Sequence, residues 1–196
     1  MEDRVISEED PASLLPPSCS IEDAASHGIW DAIVVGAGVA GSSIARHLAS
    51  RGHAVLLVEK MKLPRYKVCG CCLNLRSLHY LEEAGVSESL HRLGAPTLNS
   101  IALHAGSHCA ALPLPGGMAV SRNALDVLLV RAAHEAGATL LLNTKGSLAH
   151  SASDDSRGVT LSNTEGRAQI MARLVVAADG LGGKLIQEAG SVAPRI

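Results

Sequence analysis

Unbroken apolar runs alternate along this chain with segments in which apolar residues recur every three or four positions. Ile33, Val34 and Val35 form the first run and lead straight into Gly36. Ala40, Ile44 and Leu48 then recur four apart, the spacing of a single helix face. Ala54 to Val58 is a second apolar run and ends at Glu59. A strand buried on both faces reads as such a continuous run, so residues 30 to 60 predict strand, helix, strand. Gly52 is placed to end the helix in a left-handed conformation.

The pattern continues downstream. A connector from Lys60 to Asn74 carries Pro64, Arg65, Lys67 and the run Cys69-Gly70-Cys71-Cys72. A helix is expected to follow through Leu81, with Gly85 near its end. Ile101 and Leu103, then Ala111 and Leu112, predict short strands of an inserted sheet at about 97–120, broken by Pro113, Pro115 and Gly116-Gly117. Ser121 reads as the N-cap of a helix with Leu125, Leu128, Leu129, Ala132 and Ala136 on one face, ended by Gly137. Ala138 to Leu142 predicts a buried strand, and Leu174 to Ala178 another, ending in Asp179-Gly180. Asn143–Gly146 and Asn163–Gly166 are turn signals, and Val159 alternating with Leu161 before the second suggests a hairpin. Residues 1–28 are polar and acidic, contain Pro11, Pro16 and Pro17, and read as a flexible leader, with a short helix as an option within it, before one domain over 29–196.

The turn after the first strand carries specific chemistry. Gly36 permits a tight turn, Gly38 lacks the Cβ that would keep a pyrophosphate from the backbone, and Gly41 lets helix and sheet pack closely. The first turn of the helix, Val39, Ala40 and Gly41, offers unpaired N–H groups and the positive end of the helix dipole. Glu59 at the end of the second strand stands where a ribose needs a hydrogen-bond acceptor, beside Lys60, and its charge is expected to repel a 2′-phosphate. These features predict a dinucleotide site.

Bulk properties narrow the remaining classes. The 196 residues are 47% hydrophobic, ample for a core and against disorder. With no Phe, one Trp and two Tyr, nucleic-acid binding by aromatic stacking has no support, and a net charge of −2 offers no basic footprint. The acidic N-terminus lacks the apolar segment of a signal peptide. The five cysteines, three of them clustered, read as reduced thiols, so a cytoplasmic location is expected.

Three further features follow the glycine motif in order: Pro64-Arg65-x-Lys67-x-Cys69-Gly70, then Arg122 with Asp126 and Leu129 on a helix, then Ala178-Asp179-Gly180 after a strand. With that order the chain resembles the FAD-dependent oxidoreductases of the aromatic-hydroxylase fold, and among them the geranylgeranyl-reductase-like proteins, over about residues 30–190. The resemblance implies an α/β, Rossmann-like three-layer fold with a partial inserted β-sheet. It implies FAD, with NAD(P)H as a candidate electron donor, and a reductase or monooxygenase acting on a small apolar substrate. Gly36, Gly38, Gly41 and Glu59 would hold the ADP half, with Arg65 toward the flavin side and Arg122 at the pyrophosphate. Asp179 and Gly180 would also contact the cofactor. The family pattern after Asp-Gly has Ser and Arg where this chain has Gly183 and Ile186, with Lys184 nearby. A later Gly-Asp motif of the family has no counterpart before Ile196. The chain is therefore expected to be truncated at the C-terminus, to turn over poorly by itself, and to have a C-terminal half and a peripheral membrane contact as candidate partners. A non-catalytic nucleotide-binding protein and an NAD-dependent or dithiol oxidoreductase are the alternatives.

Several residues admit two readings. Cys69, Cys71 and Cys72 could be redox thiols, zinc ligands completed by His79, His104, His108 or Cys109, or small residues packed beside a flavin. Asp126 could be a surface acid of its helix, and Arg46 and Arg51 read as a solvated face.

Overall fold

The computed structural model describes residues 11–188 apart from Val68, Gly70, Cys71 and Asp154. After a short helical turn at Pro11–Leu14 come α1 (Ile21–Ser26), β1 (Ile29–Val35), α2 (Val39–Ala49) and β2 (Val55–Val58). The connector leads to β3 (Cys72–Asn74), α3 (Leu75–Glu83) and α4 (Ser87–Arg92). Then follow the hairpin β4 (Ser100–Ala105) and β5 (His108–Pro113), β6 (Gly117–Ala119) and the long α5 (Arg122–Glu135). The chain closes with β7 (Thr139–Leu141), β8 (Lys145–Ser153), β9 (Ser156–Ser162), β10 (Arg167–Ala177) and α6 (Leu185–Glu188).

Six strands form one sheet in the order β7-β2-β1-β10-β9-β8. The first four are mutually parallel, while β9 pairs antiparallel with both β10 and β8. Ala32–Val35 of β1 and Val55–Val58 of β2 are buried on both faces, which is why they read as continuous apolar runs. The run at 174–178, expected to be a buried strand, instead leaves Leu174 50% exposed and Ala177 exposed. One face, with Ala32, Val34, Val55 and Leu57, packs on Ala45 and Ala49 of α2 and on Val127, Val130 and Ala133 of α5. The other, with Ile33, Val35, Leu56 and Val58, packs on Val159, Leu161 and Ile170 of the β8–β10 ribbon and on Ile21 and Ala24 of α1. A Cβ on Gly146 would lie 3.2 Å from the Val35 side chain, so ribbon and sheet are in close contact there. Helices, parallel sheet and ribbon make the three layers the sequence resemblance implies.

Three further sequence expectations are corrected. Residues 11–28 are not a free leader. Ile21 and Ala24 are buried, the Cys19 N–H donates to the Leu140 carbonyl at 2.8 Å, and the Leu142 N–H donates to Ser18 Oγ at 2.9 Å. The segment thus covers the β7 edge; residues 1–10 lie outside the described residues. Ile21→Ala is expected to destabilise the protein by about 2–4 kcal/mol through the cavity it leaves, measured by urea denaturation. On α2 the buried positions are Gly41, Ser42, Ala45 and Ala49, while Ala40 is exposed and Ile44 and Leu48 are only partly covered. The small residues face the sheet because the helix approaches it closely. The predicted face of α5 turns toward α3 and α4, where Leu125, Leu128 and Leu129 meet Leu81, Val86 and Leu90. Its opposite side meets the sheet, so α5 is buried nearly all round.

The inserted strands exist as a hairpin, and β6 pairs with β3 rather than with it. No helix among the described residues is long and apolar enough to cross a membrane.

Candidate functional site

The C-terminal ends of β1, β2 and β10 converge on one opening. β1 ends into Gly36, whose φ of +108° suits glycine and whose N–H donates to the Val58 carbonyl at 2.7 Å. A Cβ there would collide with the Ala178 carbonyl, and one on Gly41 with the Gly36 carbonyl. Gly38 differs. It caps α2 in an extended conformation, and a Cβ would have nothing nearer than Arg65 Nη2 at 3.8 Å and Arg122 Nη2 at 4.0 Å. Two of the three glycines are thus required by packing, whereas Gly38 faces open space bounded by two guanidinium groups.

Glu59 is 2% exposed and thoroughly engaged. Its carboxylate accepts from the Ala37 N–H at 2.9 Å, the Met61 N–H at 2.8 Å and Arg65 Nη1 at 2.9 Å. Arg65 thereby offsets the charge expected to repel a 2′-phosphate. Arg65 also lies with Nε 3.8 Å from Asp126 Oδ2. Arg122, the first residue of α5, donates to the same carboxylate from Nε at 3.0 Å and from Nη2 at 2.9 Å. Asp126 is fully buried, so it is no surface acid; it ties both guanidinium groups into one cluster above Gly38. Burial draws the Arg122 pKa down, but the hydrogen bond and charge of Asp126, then those of Cys69, carry it above its ordinary value. The cation is therefore held in place and permanently charged.

On the far side, Asp179 Oδ2 accepts from the N–H groups of Lys184 (2.8 Å) and Leu185 (3.3 Å), capping α6. Gly180 has φ +87°. A Cβ on Gly183 would meet the Asp179 carboxylate where it now stands. Between these walls lies a pocket of about 190 Å³ lined by Gly36, Gly38, Glu59, Lys60, Arg65 and Asp179, among others. Val39, Ala40 and Gly41 supply the helix N-terminus beside it, and Arg122 stands next to Gly38.

The pocket also contains residues that the sequence reading did not assign to it: Lys67, Thr144, Lys145, Gly146 and Lys184. The Thr144 N–H donates to the Glu59 carbonyl at 2.9 Å, which brings the β7–β8 turn to the site. The only sequence signal for this was the Asn143–Gly146 turn, and Asn143 does adopt a positive φ of +53°. The four-residue spacing of Arg122 and Asp126 was a legible sign of their pairing.

Residues 30–194 match the family model of the FAD binding domain. The chain belongs to this family. Its glycine turn, free helix N-terminus and paired guanidinium groups fit the negatively charged diphosphate of FAD, and Gly38 leaves room for it. This FAD binding domain is 31% identical to menaquinone reductase of Mycobacterium tuberculosis over 82% of its length, covering 39% of that protein. It is 34% identical to digeranylgeranylglycerophospholipid reductase 2 of Methanopyrus kandleri over 83% of its length, covering 40% of that protein. The chain thus spans about two-fifths of the length of these curated relatives. The structure of p-nitrophenol 4-monooxygenase from Pseudomonas putida superposes with a TM-score of 0.73 at 19% identity, covering 83% of this chain and 44% of that one; this likeness shows the fold alone.

Of the cysteine run, Cys69 sits beside Arg122 at the edge of this FAD binding domain's site. Cys69 is exposed and hydrogen-bonded with Arg122, Cys72 is exposed at the start of β3, and Cys71 lies outside the described residues. Among the described residues, no group of three or more His, Cys, Asp or Glu is placed to hold a metal. Of the arginines expected to be solvated, Arg46 instead donates to the Glu83 carbonyl at 3.1 Å and ties α2 to α3.

Proposed function

We infer that this chain is the cofactor-binding portion of an FAD-dependent oxidoreductase that reduces an apolar, long-chain substrate. The observation that carries the reading is the clustering of Arg65 and Arg122 over Gly38. The two curated relatives, named menaquinone reductase and digeranylgeranylglycerophospholipid reductase 2, support the substrate class. Bound FAD supplies the hydride and electron transfer. The protein's part is to hold it. The N–H groups of Val39, Ala40 and Gly41, with Arg65 and Arg122, hold the diphosphate. Glu59 and Lys60 hold the ribose end. Asp179 and Gly180 close the opposite side. NAD(P)H is the proposed electron donor. A cytoplasmic location with peripheral approach to a membrane completes the proposal; among the described residues Cys19, Cys72 and Cys109 are free thiols, which supports a reducing compartment.

Glu59→Ala is expected to weaken FAD binding at least about tenfold by removing charge-assisted hydrogen bonds. It also strands the Ala37 and Met61 N–H groups, so stability should fall by about 1–3 kcal/mol as well. Flavin-fluorescence titration and urea denaturation measure the two effects. The function is tested by reconstituting the chain with FAD and following anaerobic NAD(P)H oxidation with a long-chain isoprenoid quinone. Reduction of the quinone supports the reading. Flavin retained without any transfer assigns the chain to nucleotide binding alone, and no flavin binding overturns the proposal.

A further inference from the structure

Glu59 stands where the ribose of a nucleotide is read, and its carboxylate is already almost fully engaged. Oε1 accepts from the Met61 N–H and from Arg65 Nη1, and Oε2 accepts from the Ala37 N–H. An ionised carboxylate has about four lone-pair directions. One is left, on Oε2, so Glu59 can receive a single ribose hydroxyl. Its charge is matched as well. Arg65 Nη1 lies 2.9 Å from Oε1, and the Glu59 and Arg65 side chains are only 2% and 16% exposed, so solvent screens the pair little. A nucleotide at this point meets an ion pair without net charge rather than a bare anion.

Cations complete this end of the pocket. Lys60 directly follows Glu59 and lines the same wall, and Lys145 reaches it from the β7–β8 turn. That turn is fixed by a chain of hydrogen bonds. Asn163 Nδ2 donates to Thr144 Oγ1 at 3.1 Å, and Thr144 Oγ1 donates to the Leu142 carbonyl at 3.0 Å. The Thr144 N–H in turn donates to the Glu59 carbonyl at 2.9 Å. Thr144 is fully buried, so Lys145 is anchored one residue from a fixed contact with Glu59. Lys67 belongs to the other wall, its Nζ 3.5 Å from the point where a Cβ on Gly180 would lie. Lys60 and Lys145 are therefore additional to the two guanidinium groups over Gly38, which with the helix N-terminus already suit a diphosphate.

An acid beside the ribose suits free hydroxyls, whereas an arginine nearby suits a ribose phosphate. Here the two stand in one contact, with Lys60 and Lys145 beside them. We propose that the pocket also takes adenine nucleotides that carry a phosphate monoester on the adenosine ribose, in competition with FAD, and that Arg65 and Lys145 set this preference. Arg65 cancels the charge by which Glu59 would turn such a phosphate away, and Lys60 and Lys145 receive it. The inference rests on the FAD reading for the place of the ribose.

The test uses the full 196-residue chain loaded with FAD and follows displacement of the flavin by fluorescence. NADP⁺ is compared with NAD⁺, which differ only by a 2′-phosphate. Coenzyme A is compared with dephospho-coenzyme A, which differ only by a 3′-phosphate. In at least one pair the phosphorylated member should displace FAD at a concentration at least about tenfold lower, the worth of one charge-assisted hydrogen bond. The pair that responds shows which ribose position is read. Lys145→Ala should shrink that ratio, and Arg65→Met should reverse it, because the Glu59 charge is then unopposed. Each ratio is read within one variant, so a general loss of affinity does not alter it. FAD displaced equally by both members of each pair, more readily by the unphosphorylated ones, or by none would overturn the inference and leave the FAD reading standing. Ratios that stay the same in both variants would overturn it too. A chain that holds no FAD at all would overturn the FAD reading, and the inference with it.

Discussion

Gly38→Val is expected to leave the fold standing and to abolish FAD binding, whereas Gly41→Val is expected to abolish both. The difference follows from what each Cβ would meet. At Gly38 the backbone is extended, with φ −82° and ψ −173°, a conformation open to any residue. The nearest atoms are the flexible ends of Arg65 and Arg122, 3.8 and 4.0 Å away. Loss of a favourable N-cap residue costs about 1 kcal/mol. The isopropyl group then fills the space between the helix N-terminus and the two guanidinium groups, where the diphosphate must come. At Gly41 the Cβ would drive into the Gly36 carbonyl. That carbonyl cannot withdraw, because the Gly36 N–H is bonded to Val58 and the turn is wedged against Ala178. The expected loss is at least about 3 kcal/mol, the upper end for overpacking. Urea denaturation and flavin-fluorescence titration on both variants read the contrast. Parent-like FAD retention in Gly38→Val would show that the diphosphate lies elsewhere.

Asp126→Ala should be the most damaging change outside the glycine turn. The carboxylate is fully buried and is shared by Arg65 and Arg122, whose side chains are each 16% exposed. Removing one member of a buried ion cluster strands the others, at about 3–5 kcal/mol where no water reaches them. The partial exposure of the two arginines lets them turn toward solvent, so about 3 kcal/mol is the expected figure. FAD affinity should fall more than tenfold as well, because the guanidinium groups no longer converge on Gly38. Asp126→Asn, which keeps the shape and one acceptor oxygen, should recover part of the stability but less of the affinity. Equal losses in both variants of both properties would show that Asp126 acts through packing rather than charge.

The local elements were legible in the sequence because they follow from short-range rules. The glycine turn, the apolar runs of β1, β2 and β10, and the cap and end of α5 each depend on neighbours within a few residues. The resemblance carried in the order of four short motifs was likewise sufficient for the family and for FAD. Other features depend on distant parts of the chain meeting. Residues 11–28 look like a leader by composition, yet Ile21 and Ala24 are buried because β7 and the far sheet face present them with an apolar surface. The exposed hairpin and the buried side of β9 both read as apolar alternations, and periodicity cannot tell whether anything covers them.

What the sequence determined by itself is the nucleotide-binding turn, its flanking strands and helix, and the kind of cofactor they serve. Tertiary structure alone decided that Asp126 lies buried behind Arg65 and Arg122 rather than on a surface. It turned the apolar face of α5 away from the sheet and brought Thr144, Lys145 and Lys184 to the pocket. The physical reason is one of range. Backbone conformation and capping are set by residues next to one another. Burial of a charge is set by which helices pack around it, and α5 is enclosed by the sheet on one side and by α3 and α4 on the other.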